Sequence, residues 1–269
     1  MEIDLNDHDW LWFPGLAERL VSRHEATPPG SGDHQRCGFD ESNEERSDSS
    51  LQTPGSWQLG QRSIPVEDPP SETALRLSDL NFASIDPGRS CDQLQKAADV
   101  LGTVDGLVDT LGLLVRVVHI LEAPIGYDVS HSDPELPFTI FVSLPQAGET
   151  DSVPRLAEAM LHESMHLQLS MIEHRVPLIA HDLECAYSPW KHEVRPVSGL
   201  LHGLYVFAVI HQVCERWGGS QDEWIRYGQR RRAEIEEEVT TLPERPGGLC
   251  PIGSELWHRC RRSVIGSSQ

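Results

Sequence analysis

The sequence segment that most constrains the fold is VPRLAEAMLHESMHLQLSMIEH, residues 153–174, which contains His162 and His166. Its apolar residues recur at helical spacing, and Asp151 or Ser152 can cap its first turn. Side chains four residues apart project from one face of a helix, about one turn apart. The two imidazoles are therefore predicted to bind one metal ion, as the pattern His-Glu-x-x-His does on metal-binding helices.

The charge of the chain restricts its partners. Lys and Arg number 22 and Asp and Glu number 42, which gives a net charge of −20. A polyanion repels phosphate backbones, so nucleic acid is not an expected partner. The start of the sequence lacks a signal-peptide pattern, and no apolar run reaches the ~18 residues that a membrane helix needs. Six scattered cysteines without a Cys-x-x-Cys pair indicate reduced thiols. We therefore expect a cytoplasmic protein without a membrane partner.

Composition divides the chain into four segments. Residues 1–24 carry a partly helical, aromatic-rich pattern and are predicted to form an N-terminal helical arm. Residues 25–71 are rich in Pro, Gly, Ser and acidic residues, and they are predicted to form a flexible insert because they offer few apolar anchors. Residues 72–262 are predicted to form the catalytic domain, and residues 263–269 a tail.

The elements expected within residues 72–262 are mostly helices. Residues 91–123 have the apolar spacing of a long helix that its glycines bend or split, with His119 as a core or helix-end histidine. Residues 138–145, FTIFVSLP, are predicted to form a strand, and the bounding Pro137 and Pro145 indicate that it either lies at a sheet edge or ends abruptly. Residues 181–187 are predicted to open a further helix. The expected fold class is α+β and predominantly helical, with a zincin-like metal helix packed by a small β-sheet and further helices.

Two histidines rarely complete a metal site, so a third ligand is needed. The metzincin spacing requires glycine at position 169 and histidine at position 172, where this sequence has Leu169 and Ile172, and that class is excluded. His202 lies in the apolar helical pattern GLLHGLYVFAVIHQVCERW, where a polar ring needs a partner or a metal. His202 is therefore the favoured third ligand. Asp182 and Glu184 remain open as gluzincin-like carboxylate ligands.

Two sequence blocks, PRLAEAMLHESMHLQLSMIE and YSPWKHEVRPVSGLLHGLYVF, together resemble a known family. This family is the HExxH-motif domain found beside peptide-modifying enzymes in bacterial ribosomal-peptide (RiPP) biosynthesis. The resemblance covers roughly residues 138–217, with weaker helical agreement back to about residue 72. It implies a 2-oxoglutarate-dependent, non-haem iron peptide β-hydroxylase, with a precursor peptide as substrate and other RiPP maturation enzymes as partners. The motif alone would instead have suggested zinc and hydrolysis.

The resemblance implies Fe(II) and 2-oxoglutarate as cofactors. Three protein ligands on one face of an octahedral ion leave three positions, enough for bidentate 2-oxoglutarate and O2. Arg195 is predicted to bind the distal carboxylate of 2-oxoglutarate, because a planar guanidinium matches a carboxylate, and Lys191 is predicted to assist or replace it. Tyr205 is predicted to shape the pocket. The predicted iron ligands are His162, His166 and His202.

Glu163 separates two mechanisms. In a zinc metallopeptidase it would be the general base that activates a metal-bound water. In the hydroxylase no such base is required, and Glu163 would orient a ligand or a water molecule. The sequence therefore supports three hypotheses in descending order: the Fe(II)/2-oxoglutarate peptide hydroxylase, a zinc metallopeptidase, and a non-catalytic scaffold that binds a peptide.

Overall fold

A computed structural model describes residues 14–26, 55–146, 148–182, 185–217 and 222–266. Within these ranges lie eight helices, one five-stranded mixed sheet and one two-stranded hairpin. The predicted α+β class with mainly helical content is confirmed at this level.

Along the chain, a helix precedes the first strand, and further helices separate several strands and follow the last strand. The helices are α1 Pro14–Ala26, α2 Ser71–Arg76, α3 Pro87–Leu101, α4 Leu107–Leu114, α5 Ser152–Glu173, α6 Val197–Arg216, α7 Asp222–Thr240 and α8 Pro251–Ile265. The strands are β1 Gly55–Leu59, β2 Arg62–Val66, β3 Val117–Leu121, β4 Ser130–His131, β5 Thr139–Ser143, β6 Cys185–Ser188 and β7 Glu193–Pro196. α5 and α6 are the longest helices of the described residues, and they pack against each other.

The five-stranded sheet has the order β1-β2-β3-β5-β4. β3 pairs in parallel with β2 and β5, whereas β1–β2 and β4–β5 are antiparallel. The strand predicted in residues 138–145 is present as β5, but its predicted edge position was wrong, because β3 and β4 flank it. Both prolines of this segment lie outside the strand, so they end it without preventing pairing on either side.

Part of the predicted flexible insert belongs to the core. Residues 55–66 form the hairpin of β1 and β2, in which Trp57 is 3% exposed and Ile64 1%. The prediction of flexibility was wrong here because alternating apolar residues bury one face of a short hairpin, a pattern that average composition hides. Residues 27–54 of the predicted insert lie outside the described residues.

The predicted long helix of residues 91–123 is split, and its last part is a strand. α3 and α4 account for the first part, while Val117–Leu121 forms β3 in the middle of the sheet. A short continuous apolar run is typical of a buried parallel strand and cannot be separated from a buried helix by periodicity alone. His119 is 3% exposed, and its Nδ1 lies 2.7 Å from the carbonyl oxygen of Glu67, so it is a core histidine.

The two ends of the described chain are also packed. α1 contacts α4 and buries Leu16 and Leu20, so the part of the predicted N-terminal arm that is described joins the core. Residues 1–13 lie outside the described residues. α8 continues through Ile265, so the predicted tail boundary at residue 263 falls inside a helix.

The segment before α6 is a hairpin where a helix was predicted. β6 and β7 pair in antiparallel fashion, so the helical prediction for residues 181–187 was wrong. Asp182 accepts hydrogen bonds from the backbone N–H (3.0 Å) and the hydroxyl (2.7 Å) of Ser198, in the first turn of α6. A carboxylate at this position stabilises unpaired N–H groups and the positive end of the helix dipole. Glu184 lies outside the described residues.

α6 is the central helix of the domain. In the described part of the chain, it is the one helix that is long and apolar enough to cross a membrane. Of the 18-residue apolar stretch that meets this criterion, 72% is buried inside the protein. The expectation that no apolar run reaches membrane-spanning length was therefore wrong for this segment. The close approach of Trp190 to α6 requires Gly203, because a Cβ there would lie 2.6 Å from the indole ring.

Candidate metal centre

α5 carries the predicted metal-binding pair. This helix packs against α3, α6 and β5, and Leu161 and Met165, which are fully buried, hold it in place. The Nε2 atoms of His162 and His166 lie 3.2 Å apart. Two nitrogens that share one ion at about 2.1 Å are about 3.0 to 3.4 Å apart for octahedral or tetrahedral angles. The pair therefore fits a common metal position.

Both imidazoles of this pair are neutral at pH 7. Burial, assisted by the charges of Lys191 and Arg231, lowers the pKa of His162 to about 4. Burial also lowers the pKa of His166 well below its usual value, and the neighbouring His162 and His202 add to this effect. Neutral imidazole is the form that binds metal ions, so neither ring has to release a proton to the solvent before it can act as a ligand.

His202 joins the pair through the other edge of His166. The planes of the His166 and His202 rings are within 17° of each other, and their Nδ1 atoms lie 3.1 Å apart, so the two rings meet edge to edge. The Nε2 atom of His202 lies 2.9 Å from Oε2 of Glu173. The third predicted ligand is thus in the cluster, yet it contacts Nδ1 of His166, whereas His162 contacts Nε2. No group of three or more His, Cys, Asp or Glu in the described ranges is arranged to hold a metal ion.

Glu163 is buried, with 4% of its surface exposed. Its Oε1 accepts a hydrogen bond from the hydroxyl of Ser130 and its Oε2 one from the hydroxyl of Ser132, both at 2.6 Å. Burial raises the pKa of Glu163, while the two serines and Lys191 oppose that shift. The serines were not predicted from the sequence. Ser130 and Ser132 are two residues apart, so both lie on one side of an extended segment. This spacing is the sequence feature from which they could have been predicted.

The two predicted cofactor-binding cations lie in different surroundings. Lys191 lies in the turn between β6 and β7, and its charge acts on Glu163 and on both histidines of the metal helix. Arg195 on β7 is 43% exposed and forms an ion pair of 2.8 Å with Glu193 in the same strand. Of these two cations, Lys191 is the one whose charge acts on the histidine cluster, as the charge of Arg231 also does at His162.

Tyr205 occupies the interface between the two longest helices. It is fully buried, and its hydroxyl accepts a hydrogen bond of 2.6 Å from the Nε2 of Gln168. Burial raises the pKa of this phenol. A side chain without solvent exposure cannot line an open pocket, so Tyr205 fixes α6 against α5 in the described structure.

An aromatic layer lies behind His162. The ring of Phe207 meets His162 edge to face at 5.4 Å and stacks on Trp190 at 4.8 Å. The guanidinium of Arg231 lies over Phe207 at 5.0 Å and pairs with Glu158 at 2.8 Å. Phe207 and Arg231 were not predicted as site residues, because their positions depend on how α6 and α7 pack.

A surface depression of about 380 Å³ adjoins the other end of the cluster. It is lined by Pro134, Ser170, Glu173, His174 and His202. The side chains of His202 and Glu173 are 20% and 28% exposed. All four members of the cluster are partly exposed, and its Glu173 end borders this depression.

No protein-family model matches this chain, and no curated protein matches it. A functional assignment therefore depends on the residues of the site and on the sequence resemblance described above.

Proposed function

We propose that this protein is a 2-oxoglutarate- and Fe(II)-dependent peptidyl β-hydroxylase that acts on a ribosomal precursor peptide in natural-product biosynthesis. The observation that carries the proposal is a pair of neutral imidazoles, with Nε2 atoms 3.2 Å apart, beside a carboxylate whose two oxygens both accept hydrogen bonds. A hydrolase needs Glu163 to take a proton from a metal-bound water. A hydroxylase needs the metal-binding pair and rigid surroundings, so the engaged state of Glu163 favours it.

In this reaction the protein's own residues would bind the metal ion and hold its ligands in position. With O2, ferrous iron and 2-oxoglutarate would supply the oxidising power to hydroxylate a carbon–hydrogen bond. His162 and His166 would hold the metal through Nε2, and Glu163 would stiffen the helix between them through Ser130 and Ser132. The zincin-like placement of this metal helix against a small sheet, the cytoplasmic location and other RiPP maturation enzymes as partners belong to the same proposal.

Lys191 is our proposed anchor for the distal carboxylate of 2-oxoglutarate. It is exposed, and its charge acts on the metal-helix histidines and on Glu163. Arg195, the first choice from the sequence, is engaged by Glu193 at 2.8 Å. A lysine gives up the two-point contact of an arginine but retains the charge-assisted hydrogen bond that a carboxylate needs.

A zinc metallopeptidase is the second candidate, and one observation favours it. Burial raises the pKa of Glu163, and a more basic carboxylate is a better general base near neutral pH. In that reaction the second lone pair of one of the serine-bound carboxylate oxygens would have to face the metal-bound water. The hydroxylase requires no such contact.

Anaerobic titration of the protein with Fe(II) and 2-oxoglutarate tests the choice between the two. The hydroxylase predicts a visible metal-to-ligand charge-transfer band that saturates with 2-oxoglutarate. The absence of this band, together with zinc-dependent cleavage of a peptide, would establish the peptidase in its place.

The same band tests the anchor of the cosubstrate. We expect Lys191→Ala to weaken 2-oxoglutarate binding by about 10- to 100-fold, the loss of one charge-assisted hydrogen bond. Arg195→Ala removes an exposed charge of the same sign on the same hairpin, and its effect should stay within about threefold. The opposite ranking of the two variants would return the anchor role to Arg195.

A further inference from the structure

Four side chains form one continuous hydrogen-bonded chain across the interface of α5 and α6. His162 Nε2 lies 3.2 Å from His166 Nε2, and His166 Nδ1 lies 3.1 Å from His202 Nδ1. His202 Nε2 lies 2.9 Å from Oε2 of Glu173, which borders the surface depression. His166 and His202 each use both ring nitrogens in these contacts, so the tautomer of one ring restricts the tautomer of the other.

The direction of these hydrogen bonds follows from the carboxylate. An ionised carboxylate only accepts, so Nε2 of His202 must carry a proton. A neutral imidazole carries one proton, which leaves Nδ1 of His202 as an acceptor. The facing Nδ1 of His166 must then be the donor, and Nε2 of His166 keeps its lone pair, which accepts from Nε2 of His162 in the metal-free protein.

We propose that Glu173 and His202 are positioning residues that fix His166 as the Nδ1–H tautomer and aim its Nε2 at the metal. This inference rests on the metal-binding pair of the proposed function, but not on which metal binds or which reaction follows. His202 then acts through His166 and is not the third protein ligand.

The spacing along α5 explains why two residues are needed for this role. Glu173 follows His166 by seven residues, which is about 10 Å along a helix axis, so it cannot contact that ring directly. His202 on α6 spans the gap, because its two nitrogens face His166 and Glu173. The reversed tautomer of His202 would place an unprotonated nitrogen against the carboxylate, and this repulsion selects the tautomer.

Ring spectra of the metal-free protein test the tautomers directly. Nitrogen–proton correlations of the histidine rings should show His166 protonated at Nδ1 and His202 at Nε2. Glu173→Leu should convert His202 to a mixture of both tautomers, while Glu173→Gln, whose amide oxygen still accepts, should preserve the assignment. Protonation of His202 at Nδ1 in the unaltered protein would overturn the inference.

Titration with Co(II) alone tests the consequence for metal binding. Loss of a group that orients a metal-bound histidine typically weakens metal affinity by about 10- to 100-fold, and we expect this for Glu173→Leu and for His202→Leu. His202→Asn should stay within about fivefold, because an amide oxygen near the Nδ1 position accepts the same hydrogen bond. His174→Ala is the matched control. His174 lines the same depression, but its ring contacts the carbonyl oxygen of Ser170 and not the hydrogen-bonded cluster of Glu173, His202, His166 and His162.

The alternative role of His202 as a ligand gives different results. His202→Asn would then bind cobalt as weakly as His202→Leu, and pulsed electron paramagnetic resonance of the Cu(II)-loaded protein would count three bound imidazoles instead of two. Either result overturns the inference, as does a Glu173→Leu variant with unaltered cobalt affinity. Cobalt binding without the 2-oxoglutarate band would overturn the hydroxylase and support the positioning pair. A protein that binds no cobalt would overturn both the metal pair and this inference.

Discussion

The two halves of α6 use the same kind of residue pair in different ways. In the N-terminal half, His202 faces Glu173 of α5 at 2.9 Å, and in the C-terminal half, His211 faces Glu236 of α7 at 3.0 Å. His211 is fully buried, and its Nδ1 has no hydrogen-bond partner among the described residues. His202 is partly exposed, and its Nδ1 continues to His166.

This difference shows that a buried histidine–carboxylate pair does not by itself indicate a functional site. In the N-terminal half, Nδ1 of His202 also contacts Nδ1 of His166, a predicted metal ligand, so the contact with Glu173 affects the tautomer of that ligand. The C-terminal half joins α6 to α7, and α7 in turn binds α5 through Arg231 and Glu158. We therefore assign His202 to the site and His211 to the stability of the fold.

The largest expected effect concerns the α7 side of this comparison. Glu158→Ala should lower the free energy of unfolding by about 3 kcal/mol, because it leaves the charge of the largely buried Arg231 without its closest partner. Urea denaturation measures this loss. Arg230→Ala removes an exposed charge that pairs with Asp151, and it should cost less than about 1 kcal/mol.

The cobalt affinity of folded Glu158→Ala sharpens the assignment. We expect a smaller loss than for His162→Ala, because Glu158 and Arg231 supply no metal ligand and the charge of Arg231 acts on His162 only through space. A large loss of affinity in the folded variant would show that α7 also supports the site.

Two histidine variants test whether cobalt affinity and the free energy of unfolding depend on different residues. His162→Ala removes a proposed ligand and should weaken Co(II) binding by more than about 100-fold, beyond the effect of an orienting residue, with little change in metal-free stability. His211→Ala should lower the free energy of unfolding by about 2 kcal/mol, because it removes a fully buried ring together with its contact to Glu236, and should leave cobalt affinity intact. A crossed result, in which His211→Ala weakens cobalt binding, would break the comparison.

The smallest expected effect is the pH dependence contributed by His119, which lies on the sheet outside both halves of α6. Burial lowers its pKa from the usual 6.5, so the unfolded chain binds the proton more readily than the folded one. The stability due to neutral His119 is therefore complete above pH 6.5 and declines as the pH falls below that value. His119→Asn should flatten this decline in metal-free protein unfolded by urea at several pH values. An unchanged slope would assign the decline to other groups.

Several elements followed from the sequence because their causes are local. The apolar spacing of residues 152–173 predicts α5, and its regular geometry brings His162 and His166 to one face. The predicted side-chain cap was wrong, because Asp151 makes no capping hydrogen bond and pairs with Arg230 of α7 instead. The β-branched run of β5 and the apolar pattern of α6 were likewise predictable. The burial of His119 also followed, since an ionisable ring among aliphatic residues is rarely exposed.

Other features were decided by packing between segments distant in sequence. The edge position predicted for β5 failed, and residues 55–66 proved to be core strands, because strand order depends on which partners are available. The engagement of Glu163 by two serines depends on where β4 meets α5, and the effect of the Lys191 charge on the cluster depends on where the β6–β7 turn lies in the fold.

The sequence by itself determined that two imidazoles share one face of a helix, because helical periodicity is a property of neighbouring residues. Only the tertiary structure decided what surrounds them. His202 is 36 residues from His166 and 29 from Glu173 along the chain, and no local preference relates them. Their contact arises when α6 buries its apolar surface against α5, and that packing determines which nitrogen of His166 faces the metal position.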